Sequence, residues 1–311
     1  MPVGRFLLLL SMVTVAVFLL LQMIPGDPVD GLVPAGASDE MREQARATYG
    51  LDDPVLQRYL SWLGGILHGD FGRSFLTQTN VSSMIAQRAP LSLELAVLAM
   101  GLALAVSIPV GVWSAYRPGG YLDKIATMVI SATLATPSFV LGILLVFVFG
   151  VQLGVLPILG YVPFSENPLQ HIKYMILPVL TLAAGECVLL TRMLKGDMMA
   201  TLQQDHVLSA RARGLPTWRI LARHALRQSS FSLITVSGVV IGRLIGGTVI
   251  VESIFSLPGM GVLVVNSILT RDYIVVQAVV LLSALVYLLM NTLVDLAYPL
   301  LDPRVRKVKT S

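Results

Sequence analysis

Two ionisable residues sit deep in apolar runs, Glu186 in GECVLL and Arg243 in IGRLIGG. At the centre of a membrane helix each charge costs roughly 2.5 to 3.5 kcal/mol on insertion scales, so both should face a bundle interior or a wet cavity. Their opposite signs allow a structural ion pair between two helices, and they equally allow a polar lining for a solute path. A guanidinium repels a bare divalent cation but holds a carboxylate in a forked contact, so Arg243 favours solutes that carry carboxylates. A second concentration of polar groups is QQDHVLSARARGLPTWRILARHALRQ, residues 203–228, a basic, Gly-Pro-interrupted segment between two apolar runs. A third is VESIFSLPGMG near the outer surface, where Glu252, Pro258, Gly259 and Gly261 combine an acid with the chemistry of a tight turn.

Other chemistry is excluded by what is missing. A chain that hydrolyses ATP through a phosphate loop needs Gly-x4-Gly-Lys-Ser/Thr, and this one has no Gly-Lys dipeptide. HExxH and Gly-x-Ser-x-Gly are absent too, and His68, His171, His206 and His224 are scattered along the chain. The single cysteine, Cys187, forms no intrachain disulfide and no cysteine metal cluster. No catalytic residue and no metal ligand is therefore assigned.

The elements that must position these groups are membrane helices. Of 311 residues 55% are hydrophobic and only 13% charged, against ~25% charged in soluble domains. Mean hydropathy is +0.77. About 20 helical residues cross the hydrocarbon core, and six runs reach that length: 6–24, 91–116, 122–151, 172–194, 229–255 and 273–300. Pro109, Pro137 and Pro178 lie within or near these spans, where neighbouring helices re-satisfy the freed backbone groups. The formal charge of +4 reflects orientation rather than nucleic-acid binding, because the bases are not interleaved with aromatics. Arg192, Lys195, Arg211, Arg213, Arg219, Arg223 and Arg227, with the basic C-terminal tail, place 203–228 and both termini in the cytoplasm. The first run is too long for a signal-peptide core and is read as an uncleaved helix.

The first external loop has room for a small helical subdomain. SDEMREQARATYG reads as a helix with Ser38 at its cap and Gly50 as its stop, and DPVLQRYLSWLGGILHG as a second, amphipathic helix on the outer face. Glu94 is read as a cap for the outer end of the second span. No short-period repeat and no low-complexity tract is present. In the basic segment, 197–213 reads as a helix stopped by Gly214, and Pro216 opens a second helix, TWRILARHALRQ, with its bases on one side. Orientation alone would need only a few basic residues, so this helix, turn and helix is a construction with a further purpose.

The order Ala210-Arg211-Ala212-Arg213-Gly214-Leu215, followed by Arg223-His224-Ala225-Leu226-Arg227, resembles the cytoplasmic coupling loop of binding-protein-dependent ABC importer permeases. IPGDPV, YGLDDPVLQRYLSWLGGILHGDFGRSF, PLSLELAVLA, ATPSFVLGILL, VIVESIFSLPGMGVLVVNSILTRDYIVVQ and the closing LDPRVR are similar to the dipeptide/oligopeptide/nickel subfamily. The likeness spans nearly the whole chain. It departs from the general pattern at Leu208-Ser209-Ala210, where many importers have Glu-Ala-Ala.

The resemblance implies an all-α integral membrane protein with six transmembrane helices in the type I ABC importer permease fold. It implies a first helix at 1–24, an extracytoplasmic helical loop at 25–90, a core at 91–301 with its coupling loop at 196–228, and a cytoplasmic tail at 302–311. Asp205, His206, Ser209, Ala210, Arg211, Arg213 and Gly214 would contact an ATPase subunit. From their own chemistry, apart from the resemblance, Glu186 and Arg243 are read as either a structural pair or a lining of the path, and Glu252, Pro258, Gly259 and Gly261 as either an outer gate or an ordinary loop between two spans. This chain would bind no cofactor, ATP and Mg being held by partner subunits. Its partners would be a second, homologous permease chain, two ATPases, an extracytoplasmic solute-binding protein and membrane lipid, in a bacterial inner membrane. Cargo would be peptides, glutathione-like molecules, nickel or a metal chelate. The competing class is a stand-alone secondary carrier or channel, for which inverted repeats or proton-relay acids in several spans are expected.

Overall fold

In a computed structural model of the protein, residues 2–22, 29, 38–48 and 52–301 are described. Among them the secondary structure is helical, apart from one isolated antiparallel bridge between Arg73 and Asn80. The helices are α1 (Pro2–Gln22), α2 (Asp39–Thr48), α3 (Val55–Leu67), α4 (Val81–Tyr116), α5 (Tyr121–Ala135), α6 (Ser138–Leu145), α7 (Pro168–Leu202), α8 (Asp205–Ala212), α9 (Thr217–Arg219), α10 (Arg227–Gly247), α11 (Val249–Ile254), α12 (Met260–Leu269) and α13 (Tyr273–Leu301). Four of the described helical stretches are long and apolar enough to cross a membrane, and five if the bent pair α5 and α6 is one span. The expected stop at Gly50 and the tail at 302–311 lie outside the described residues.

The chain divides into two compact units, residues 1–92 with 258–288, and residues 93–257 with 289–311. In the first, α3 lays its aromatic side along α1: Phe18 stacks edge-on to Tyr59 with ring centroids 5.4 Å apart, and Thr14 shares a 2.8 Å hydrogen bond with the Tyr59 hydroxyl. The amphipathic pattern of DPVLQRYLSWLGGILHG is thus used against α1. The HGDFGRSF stretch that follows is a tight loop with Gly69 and Gly72 at positive φ. It is pinned by Ser74 Oγ donating to Asp272 Oδ2 at 2.5 Å, with both residues buried. Beneath it Val81 and Ile85 pack with Met260, Leu263, Val275, Ala278 and Val279.

The second unit is built around α7, which contacts α5, α6, α8, α10 and α11. Ala96, Ala99, Met100 and Ala103 of α4 meet Ala183, Leu190, Leu194 and Met198 of α7 and Leu233, Val240 and Leu244 of α10 in one buried cluster. Small residues let these backbones approach closely, as membrane helices require. At Gly111 a β-carbon would stand 3.1 Å from Leu194 Cδ2, and at Gly142 it would stand 3.1 Å from Thr181 Cγ2. Gly142→Leu is expected to force α6 from α7 and to cost about 1 to 3 kcal/mol of stability, the usual penalty of overpacking, whereas Gly142→Ala should cost less. Thermal unfolding of the purified protein in detergent measures both; equal stability of the leucine variant would contradict this packing.

Three sequence expectations are corrected here. The run 122–151 is not one straight helix: α5 and the helix from Ser138 to Gln152 meet at 106°. Pro137 supplies no amide hydrogen and pushes Thr136 out of the helical region, to φ −105° and ψ 119°, so the helix breaks where the sequence ATPS places proline. The second span begins at Val81, ten residues before Leu91, because its first turns are polar and carry no hydropathy signal. Consequently Glu94 lies well inside α4 and caps nothing; its carboxylate takes another partner, described below.

Candidate functional site

The segment 203–228 is a hairpin of helices built onto the end of α7. The expected single helix over 197–213 is divided: α7 continues through Asp197 to Leu202, the chain turns at Gln203 and Gln204, and α8 runs from Asp205 to Ala212. Eight residues are too few to hold a helix alone, so α8 depends on packing. Val207 and Ala210 are fully buried in the core of the second unit, beside Ile220 and Ala225. Gly214, at φ +73°, reverses the chain, and its amide donates to the Arg211 carbonyl while Leu215 N donates to that of Ala210. This is the left-handed close of a helix that glycine adopts without steric cost.

After Pro216 the chain is helical again through α9, a π-helical turn at Ile220–Leu226, and α10. The two arms are tied together. Gln228 Nε2 donates to Gln204 Oε1 at 3.0 Å, and the buried hydroxyls of Thr201 and Ser229 lie 3.2 Å apart. What α8 leaves outside is Asp205, His206, Leu208, Ser209, Arg211 and Arg213, all exposed; Ala210 faces inward. Trp218 is 65% exposed and carries the Arg219 guanidinium over its ring at 5.3 Å. Two large apolar side chains, Leu208 and Trp218, thus stand free on a basic surface at either side of the Gly214 turn. A rigid, basic hairpin with apolar knobs has the chemistry of a docking element for another protein.

Above this segment Lys195 of α7 donates to Asp123 Oδ1 of α5 at 2.5 Å, and Gly119 N donates to Asp123 Oδ2 at 2.9 Å. Asp123 is buried. This pair clamps the chain reversal 117–120 to the end of α7, next to the hairpin.

Glu186 lies near the midpoint of α7, and Arg243 reaches it from α10. Arg243 Nη2 donates to Glu186 Oε1 at 2.7 Å and to Oε2 at 2.9 Å. Glu186 is buried and Arg243 is exposed. Just past this end of α10, in α11, Glu252 is fully buried and accepts from Thr248 Oγ1 at 2.6 Å. The chain turn that follows was expected to rest on Pro258, Gly259 and Gly261. Positive φ falls instead on Ser256, at 54°, while Gly259 is extended and Gly261 is helical. Leu257 N closes the turn on the Glu252 carbonyl at 2.8 Å, so a backbone hydrogen bond holds the strained residue in place.

Glu94 pairs with His171. The imidazole is buried, with Nδ1 donating to the Val162 carbonyl and Nε2 2.8 Å from Glu94 Oε1, and the Tyr161 and Phe164 rings stand edge-on to it. Burial, together with Glu94 and Glu166 nearby, pushes the Tyr161 phenol above its usual range. Among the described residues no group of three or more His, Cys, Asp or Glu side chains is gathered as a metal site.

Residues 107–307 match the family described as binding-protein-dependent transport system inner membrane component, and residues 2–96 match the N-terminal portion of such membrane components. The chain belongs to this family. The permease is 39% identical over 304 residues to a peptide transport system permease protein of Brucella abortus (strain 2308), covering 98% of this chain and 97% of that one. It is 38% identical over 296 residues to the oligopeptide transport system permease protein AppB of Bacillus subtilis (strain 168), covering 94% of each. In fold the permease is similar to an amino acid ABC transporter solved with histidines, with a TM-score of 0.53 at 14% identity over 70% of this chain and 94% of that one. It is a multi-pass protein of the inner membrane and a transport component rather than an ATPase.

The permease's sequence hid several of these side chains. Leu208 and Trp218 read as parts of ordinary amphipathic helices, and only their exposure marks them. His171 with Glu94, and Lys195 with Asp123, join residues far apart in sequence with no local spacing to betray them.

Proposed function

We propose that this permease is the membrane subunit of an ATP-driven importer for peptides or related small solutes, and that the 203–228 hairpin carries the motion of partner ATPases into the membrane helices. The observation that carries this reading is the hairpin itself: two arms pinned to each other and to the core, ending in the exposed set Asp205, His206, Leu208, Ser209, Arg211 and Arg213 with Gly214 at the turn. A force applied there reaches α7 and α10 directly, because Ala210 and Val207 are packed into the same cluster as both. The peptide and oligopeptide permeases it resembles favour a peptide cargo, with nickel and metal chelates as the other members of the expected range.

In this proposal the chain has six spans with both termini in the cytoplasm, α1 being added to the five apolar spans above with the bent pair α5 and α6 counted as one. Residues 1–24, 25–90, 91–301 and 302–311 serve as first helix, outer subdomain, core and tail, and the coupling loop spans 196–228. A second permease chain completes the path, two ATPases hold ATP and Mg, and a solute-binding protein delivers cargo from outside. Glu252 and the Pro258, Gly259 and Gly261 break are assigned to an outer gate.

Proteoliposomes test the central division of labour. Peptide uptake should require this chain, the second permease, the ATPases, the binding protein and ATP together. Transport by this chain alone would establish the carrier or channel class instead. Within the complex, Trp218→Ala should weaken retention of the ATPase subunits about tenfold, as loss of an aromatic anchor does at other interfaces, and affinity co-purification reads it. Undiminished retention would remove Trp218 from the docking surface.

A further inference from the structure

The Glu186–Arg243 pair is lopsided, and the asymmetry is informative. The Arg243 side chain is 60% exposed and that of Glu186 only 10%. Glu186 engages Nη2 with both of its oxygens, which leaves the Nε and Nη1 donors of the guanidinium outside this pair. The opening beside the pair is real space: Gly185 is exposed, and a β-carbon there would meet nothing within 4 Å. A guanidinium held at the depth of the middle of α7 is not tolerated against acyl chains, so this exposed face belongs to a wet or polar surface. A fixed carboxylate from a neighbouring subunit is a poor occupant, because Glu186 already balances the charge and a second permanent acid would leave a net buried anion. A carboxylate in transit is a good one, since it binds briefly, through a charge-assisted forked contact, and leaves.

We propose that Arg243 is a specificity residue of the translocation path that takes the free carboxylate of the cargo, with Glu186 a positioning residue that fixes the guanidinium through Nη2. The cargo class is a solute with an unblocked carboxylate, such as a peptide with a free C-terminus. This rests on the importer reading above. It goes beyond that reading in assigning discrimination to this chain as well as to the binding protein.

The test uses the complete reconstituted complex and two probes, trialanine and trialanine amide, with the same binding protein throughout. For the wild type the ratio of uptake rates, acid over amide at subsaturating concentration, should favour the acid about tenfold, as expected for a hydrogen bond to a charged group. Arg243→Ala should bring the ratio severalfold closer to one, and Arg243→Lys should retain part of it. Glu186→Gln should also narrow the ratio by raising KM for the acid more than for the amide. A defect of folding or assembly lowers both probes alike and leaves the ratio unchanged, as would an interface role for Arg243; that outcome overturns the assignment. Absence of ATP-driven uptake of either probe by the wild type would instead overturn the peptide-importer reading, and this inference with it.

Discussion

Gly214→Val is expected to lower ATP-driven uptake at least tenfold while the protein still inserts in the membrane and still binds its ATPases. The reason lies in one dihedral angle. Gly214 holds φ at +73°, and a β-carbon there would touch nothing within 4 Å, so the substitution introduces no clash. The cost is conformational: a residue other than glycine in this region costs about 1 to 3 kcal/mol, with β-branched residues at the upper end. Since about 1.4 kcal/mol is a factor of ten in an equilibrium, that is enough to populate a different turn and misdirect α8. Gly214→Asn, whose side chain tolerates left-handed backbone, should lose little, and Gly214→Ala should fall between. Uptake and ATP hydrolysis measured on the same proteoliposomes check the series. Normal uptake by the valine variant would contradict a rigid coupling turn.

Lys195→Met is expected to have the largest effect on stability. The Asp123 carboxylate is buried and has Lys195 and the Gly119 amide as its partners in the fold, and Lys195 is itself largely covered. Removing the ammonium strands a carboxylate without its counter-charge, which costs about 3 to 5 kcal/mol when burial is complete and about 2 to 4 here, where part of Lys195 meets solvent. Asp123→Asn with Lys195→Met should recover most of that loss, because the amide oxygen still accepts from Gly119 N and no net charge is stranded. Thermal unfolding of both variants in detergent gives the comparison. If the double variant is as unstable as the single one, the ion pair is not what holds α5 to α7.

Much of this design was legible before any coordinate. Helix, turn and helix at 203–228 followed from Gly214, Pro216 and the basic spacing, and the positive φ at Gly214 bears out the reason glycine stands there. Periodicity could not reveal that α7 stops at Leu202 and restarts as α8, because 197–213 is helix-forming throughout and the break comes from packing Val207 and Ala210 into the core. Hydropathy read 122–151 as one span for a related reason: it measures apolar content, which is continuous across Pro137, and not direction. The opposite charges of Glu186 and Arg243 suggested a pair, and their distance in the fold supplies it; which of the two faces outward is a matter of burial that no spacing encodes. Ser256 shows the reverse failure. Two nearby glycines drew attention to the turn, yet the left-handed residue is a serine held by its neighbours' hydrogen bonds.

The claim that this hairpin touches the motor is tested most directly by cross-linking. Ser209 is exposed on α8 and the native chain has a single cysteine, so Ser209→Cys in a Cys187→Ser background places one reactive thiol on the docking face. In membranes containing the intact complex, a short thiol-to-amine cross-linker should join this chain to an ATPase subunit, with a yield that changes when ATP is bound. A thiol at position 209 that reacts freely with soluble maleimide and never cross-links to an ATPase, in a complex that still transports, would contradict it.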